Sequence, residues 1–126
     1  MTIYRQCYTA KNKASTRQGT RLAYGRYGIT TTGFARISFR SLAAATSSIV
    51  HYCPKAKRWS RVRAVVPFTR KPQDVRMGRG KGVPKGAMAI VSPGQLLFEL
   101  DGRLSIAIRA ASVSAQKLCS KTKVVQ

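Results

Sequence analysis

The apolar positions hold no sustained period from Met1 to Thr20, and this opening reads as an arm. From Leu22 to Ile29 they alternate weakly, with Leu22, Tyr24, Tyr27 and Ile29 as strand-like residues; the glycines between them predict a bulge or a close approach of another backbone. Ser38 then offers an N-cap for a helix running to about Tyr52, with Leu42, Ala45, Ile49 and Tyr52 on one face and Pro54 to end it. Trp59 to Val66 returns to a period of two, with Trp59, Arg61 and Arg63 on one side and Val62 and Ala64 on the other. Such a strand lies between a core and an anionic surface. Ala87-Met88-Ala89-Ile90-Val91 is apolar on both faces, as expected of a central strand. Ser92-Pro93-Gly94-Gln95 predicts a tight turn and a hairpin, with Leu96, Phe98 and Leu100 facing one way in the returning strand. After a turn at Asp101-Gly102, Ile106, Ala110 and Val113 form a helical stripe between about Ser105 and Leu118, flanked by Ala107, Ala111 and Leu118. Lys121 to Val125 closes the series as a short strand with lysines on one side.

The order β-α-β-loop-β-β-α-β predicts an α+β fold: two helices packed on one face of a mostly antiparallel sheet. The division expected is a basic N-terminal arm over residues 1–21 and a single α+β domain over 22–126, from which an extended loop, residues 70–86, projects. That loop resists any regular element. Pro72 and Pro84 bracket it, and Gly78, Gly80 and Gly82 stand at every second position, where they allow a close approach to a ligand. Lys71, Arg76, Arg79, Lys81 and Lys85 punctuate it. Ordering such a segment alone is entropically costly, and phosphates that neutralise the cations while glycine admits backbone amides would offset that cost. Met77 is expected to anchor the loop by packing rather than to bind a ligand.

Charge turns this local reading into a global one. Lys and Arg number 24 against Asp74, Glu99 and Asp101, a formal net charge of +21 on 126 residues. So few acids cannot neutralise the chain internally, and self-repulsion on that scale is relieved by a nucleic acid. At 44% hydrophobic content the chain can still build a core. Lys11, Lys13, Arg17 and Arg21 in the arm suit RNA binding, and the same acid-free, hydroxylated stretch fits a mitochondrial targeting peptide equally well. Tyr24 and Tyr27 can stack on bases or line a core edge, the second being commoner for tyrosines in a strand.

The same composition removes other classes of function. Cys7, Cys53 and Cys119 are widely separated, with only His51 as a possible co-ligand, which gives neither a zinc site nor a disulfide framework. One histidine and three dispersed carboxylates make no acid-base pair or nucleophile triad, so no enzyme, cofactor or metal is expected. Gly78-Arg79-Gly80-Lys81-Gly82 lacks the order of a nucleotide-binding P-loop, and neither a strand running directly into it nor a helix leaving it is predicted. No run of 18 apolar residues occurs to cross a membrane. A stand-alone DNA-architectural protein is the alternative reading of the charge, although lysine-rich tails and a base-wedging hairpin are missing.

The stretch Thr69-Arg70-Lys71-Pro72-Gln73-Asp74-Val75-Arg76-Met77-Gly78-Arg79-Gly80-Lys81-Gly82 closely resembles the signature of the L-sixteen family of large-ribosomal-subunit proteins. The likeness continues in register through Val91 to Gly102, Lys117 to Val125, Gly25-Arg26-Tyr27-Gly28 and Arg36-Ile37-Ser38, and so covers nearly the whole chain from about Lys11. It implies a structural, non-enzymatic protein on large-subunit rRNA beneath the central protuberance, near the aminoacyl-tRNA site, with neighbouring ribosomal proteins as further partners and no homo-oligomer. It places Arg76, Arg79 and Lys81 against rRNA or the tRNA acceptor side. Arg26, Arg36, Arg61 and Arg63, with Lys121 and Lys123 on the last strand, complete the expected RNA-facing cations. The chain departs from the family pattern at Ala14-Ser15-Thr16, where cations are usual, at Lys85-Gly86-Ala87, where bacterial forms carry an aromatic, and at the start of the last helix, which lacks the usual acids. Gly25-Arg26-Tyr27-Gly28 and Cys119-Ser120 are more similar to mitochondrial than to bacterial or plastid versions, so the expected location is the ribosome of the mitochondrial matrix.

Overall fold

The computed structural model describes residues 19–126. Lys11, Lys13, Arg17 and Cys7 lie outside them, as does most of the expected arm. Seven strands and two helices follow in the order β1 (Tyr27–Thr31), β2 (Ala35–Ser38), α1 (Phe39–Tyr52), β3 (Arg58–Ser60), β4 (Val66–Arg70), β5 (Val83–Val91), β6 (Leu96–Leu100), α2 (Leu104–Lys117) and β7 (Thr122–Val125). This is the α+β class that the sequence predicts, with every strand pair antiparallel. The strands divide, however, into two sheets rather than one: β3-β6-β1-β7 and β2-β5-β4. Helix α1 packs on β2 and β5, α2 packs on β1 and β7, and the helices pack on each other. The helix pair thus spans both sheets. One hydrophobic cluster draws Ile29, Ile37, Leu42, Ile49, Val91, Leu97, Phe98 and Ala110 from all these parts.

Helix α1 follows its sequence signals closely. Ser38 has extended backbone and its Oγ accepts a hydrogen bond from Ser41 N at 3.2 Å, satisfying one of the orphan amides of the first turn. Leu42, Ala45 and Ile49 are buried, whereas Tyr52 is exposed. The second helix keeps part of the expected stripe: Ala110 is buried with its flanking Ala107, Ala111 and Leu118 and with Ser114, but Ile106 is exposed like Leu104 and Ile108, and Val113 is only half-buried. Small residues win the inward face because α1 lies close, and Ala45 and Ala110 are both fully buried. A larger stripe facing inward would hold the helices apart.

Three connections also depart from expectation. The strand expected over Trp59 to Val66 is two strands in different sheets. Between them Arg61 N donates to Leu97 O at 2.9 Å and Ser60 Oγ to Val62 O at 3.0 Å, bending the chain while Val62 stays buried. The Ser92–Gln95 turn forms, with Gln95 N donating to Ser92 O at 3.2 Å, but β5 and β6 do not pair as a hairpin. Pro93 followed by Gly94 at φ +78° has the sequence and the sign of a type II turn, whose twist splays the strands that it joins. Here it carries the chain from one sheet to the other. The loop, finally, is fed directly by β4 and drained by β5, which pair from Val66↔Met88 to Arg70↔Val83. A strand therefore does run into it, and no helix leaves it.

β5 is the centre of its sheet, as expected, but buries one face only, through Ala87, Ala89 and Val91. β6 is buried along its whole length instead of on alternate positions, since β3 and β1 flank it. Burying Leu96, Leu97 and Leu100 contributes roughly 1.5–3 kcal/mol each. That run includes a carboxylate, Glu99, with no exposed surface.

Candidate nucleic-acid interface

Glu99 can be buried because the chain supplies hydrogen bonds to one of its oxygens and a cation to the other. Its Oε2 accepts hydrogen bonds from three successive backbone amides, Ala23 at 3.1 Å, Tyr24 at 2.7 Å and Gly25 at 2.9 Å. Its Oε1 lies 3.2 Å from Arg61 Nε, an ion pair whose alignment falls short of a hydrogen bond. Burial alone would push this carboxyl up. The amides of Gly25, Tyr24 and Ala23 and the Arg61 charge outweigh it and hold the group below its ordinary value. Gly25 is required for this arrangement, because a Cβ there would come within 2.7 Å of Leu100 O. The expected close approach of another backbone is thus found. It also explains why β1 begins at Tyr27 and not at Leu22: residues 23–25 are turned inward to donate to Glu99.

Holding residues 23–25 fixes Tyr24. Its ring stacks on Trp59 with centroids 5.8 Å apart and planes 24° from parallel, and the Arg61 guanidinium lies 5.3 Å from its centroid. Tyr24 nevertheless keeps 63% of its surface exposed. These residues line a groove of about 570 Å³ together with Arg58, Arg63 and Gly19. Arg61 and Arg63 therefore do share a basic surface, although Arg61 is also tied inward to Glu99. Tyr27 takes the other alternative and packs against the core cluster.

The remaining expected contacts fall into separate places. Arg76 and Arg79 are exposed in the loop 71–82, as are Lys81 and Lys85 beside and beyond them. Lys71, half-buried, hydrogen-bonds through Nζ to Gly78 O and braces the loop from its base. Met77 is completely exposed and is no packing anchor among the described residues; Val75, next to the only acid of the loop, is exposed as well. Of the three alternating glycines, Gly82 is tightly placed, since a Cβ would meet the Arg70 backbone at 2.5 Å, whereas nothing lies within 4 Å of one at Gly80, and at Gly78 the nearest atom is Lys71 Nζ at 4.0 Å. Gly82 serves the hairpin base; Gly78 and Gly80 leave the backbone open towards solvent. Arg21, Arg36, Lys121 and Lys123 are exposed elsewhere. Lys123 lies on the outer strand β7, opposite Thr30 of β1, and Arg36 O accepts from Cys119 Sγ at 3.3 Å. Arg26 pairs with Asp101 at 3.5 Å on the surface.

Sequence reasoning missed Glu99 and the pairing of Trp59 with Tyr24. A lone acid inside Leu96 to Leu100 was the available signal, because a charge in an apolar strand must have buried partners. Among the described residues there is no cluster of three His, Cys, Asp or Glu side chains able to hold a metal, and no helix is long and apolar enough to cross a membrane. Cys53 is buried, which pushes its thiol up, and donates to Ile106 O at 3.7 Å.

Residues 3–125 match the family model described as Ribosomal protein L16p/L10e. The chain belongs to this family. Members are structural proteins of the ribosome rather than enzymes. Among its relatives is the large ribosomal subunit protein uL16m of Arabidopsis thaliana, 48% identical over 86% of this chain and 66% of the relative's own length. The uL16m of Marchantia polymorpha is 42% identical over 93% of this chain and 88% of its own, and the uL16 of Bacteroides thetaiotaomicron 37% identical over 98% and 88%. The L16p/L10e member described here is thus of the mitochondrial type, and spans about two thirds of the length of the Arabidopsis protein.

Proposed function

We propose that this chain is a structural constituent of the large subunit of the mitochondrial ribosome that binds large-subunit rRNA near the central protuberance and helps to position tRNA at the aminoacyl site. The observation that carries this reading is the loop 71–82. A paired β4-β5 base holds it out, its cations Arg76 and Arg79 are exposed, and the backbone at Gly78 and Gly80 is open. Such a device suits phosphate, since guanidinium groups take two phosphate oxygens at once while open glycine amides reach a third. The body over 22–126 then serves as the RNA-bound platform, and the arm over 1–21 adds cations. Recognition is electrostatic and steric, and peptide-bond chemistry is left to RNA.

The test is replacement of Arg76 and Arg79 together by Ala in the full chain, followed on sucrose gradients of organelle lysate. The unaltered protein is expected with large subunits and whole ribosomes, and is released by RNase. Because these side chains touch no core, the double variant is expected to keep its stability to within about 0.5 kcal/mol. It should nevertheless yield fewer mature subunits, or subunits with weakened aminoacyl-site tRNA binding. Recovery of the unaltered protein with organellar DNA, or at the top of the gradient, would overturn the reading.

A further inference from the structure

We propose that the groove lined by the stacked Tyr24–Trp59 pair is a stacking site for one unpaired base of the RNA, taken on the exposed side of the pair and not between its rings, with the flanking phosphates held by Arg58 and Arg63. This rests on the rRNA-binding reading and deepens it by giving a second, chemically different site on the body, away from the glycine-rich hairpin tip.

The groove differs in kind from the loop. The loop offers charge and bare backbone with no aromatic ring among residues 71–82, a device for phosphates of either strand of a duplex. The groove offers a ring pair already stacked on itself, 24° from parallel, with Tyr24 left 63% exposed to take a further ring. A guanidinium lies over the Tyr24 ring at 5.3 Å, and two more arginines stand on the groove walls. The groove, about 570 Å³, is open to solvent and leaves room for one base to lie against its wall. Bases inside an A-form helix are hidden from such a surface, whereas bases of loops and bulges can be splayed onto aromatic side chains. An acidic protein segment would be drawn to the arginines but would leave the ring faces unused.

The buried carboxylate beneath the groove supports the same assignment. Glu99 holds the amides of residues 23–25 and the Arg61 side chain from below. The ring of Tyr24 and the guanidinium of Arg61 are therefore set in place before any ligand arrives, although Tyr24 is largely exposed. An exposed tyrosine that served only as a rim would need no such support. Pre-setting the platform lowers the ordering cost of binding. Both oxygens of Glu99 are engaged with these partners, which leaves the arginines of the wall to govern the electrostatics of the groove.

The test is ultraviolet crosslinking of assembled large subunits that carry the full chain, with adducts mapped on both peptide and RNA. A single nucleotide, unpaired by chemical probing, is expected on Tyr24 or Trp59. Its adduct yield should fall roughly tenfold in Trp59→Ala and persist in Trp59→Phe, which keeps a stacking ring; Arg63→Glu should lower it as well. Adducts on peptides of the 71–82 loop with none on Tyr24 or Trp59 would overturn the stacking site while leaving rRNA binding intact. An adduct to a helical nucleotide, or to a neighbouring protein, would also overturn it. Absence of the chain from large subunits would overturn both readings together.

Discussion

Glu99 joins the fold of this protein to its candidate interface within a single side chain. A carboxylate with no exposed surface is tolerated only because three amides and a guanidinium replace its water. Those same partners carry Tyr24 and Arg61. Glu99→Gln keeps the shape but removes the charge and turns one acceptor into a donor facing donors, so it is expected to destabilise the chain by about 2–4 kcal/mol. The pH dependence has a definite sign. The folded-state pKa lies below the ordinary value of roughly 4.3, so the stabilisation is fully present above that pH and is lost as the pH falls through the lowered value. Urea unfolding between roughly pH 2 and pH 7 should show this decline in the parent chain and a flatter profile in Glu99→Gln. Parallel profiles would mean that the carboxylate contributes no net charge-dependent stability.

At the scale of elements, what the sequence discloses depends on whether a signal is local. Helix α1 was legible at both ends because a capping serine and a proline act on their immediate neighbours. The β4-β5 loop was legible because alternating glycine excludes regular structure. The division into two sheets was not, since a period of two tells which residues share a face but never which strand lies alongside. The Pro93-Gly94 pair held part of the answer: a type II turn favours a change of sheet over a hairpin. The inward face of α2 was misjudged in part, for another reason. Alanine fits both a core and a surface, so hydrophobicity set Ile106 and Val113 beside Ala110 in the stripe, whereas close approach to α1 selects Ala107 and Ala111 together with Ala110. Ala110→Leu should therefore cost about 1–3 kcal/mol through overpacking, more than Val113→Ala at a half-buried position. Comparing the two by chemical denaturation decides the matter; a larger loss from Val113→Ala would restore the stripe first expected from the sequence.

For the whole molecule the governing fact is charge, +21 in 126 residues. Within the described residues Glu99 and Asp101 pair with Arg61 and Arg26, which leaves the cations far in excess of the acids. Two like charges 10 Å apart in water repel by about 0.4 kcal/mol before screening, and a net charge of +21 on one small chain multiplies that term. Folding gathers them, so the free chain carries a repulsive cost that its unfolded form largely escapes. Raising salt from about 0.1 M to about 1 M shortens the screening length from about 10 Å to about 3 Å. The urea midpoint of the isolated chain should accordingly rise, by the equivalent of about 1–2 kcal/mol. RNA supplies the same relief locally and without added salt, because its phosphates lie against the cations themselves. On this account the partner is part of what makes the fold affordable, and stability and binding respond to salt in opposite directions. A midpoint that stayed level or fell with salt would show that repulsion is not the cost, and the energetic argument from charge to an RNA partner would then fail even with the family assignment intact.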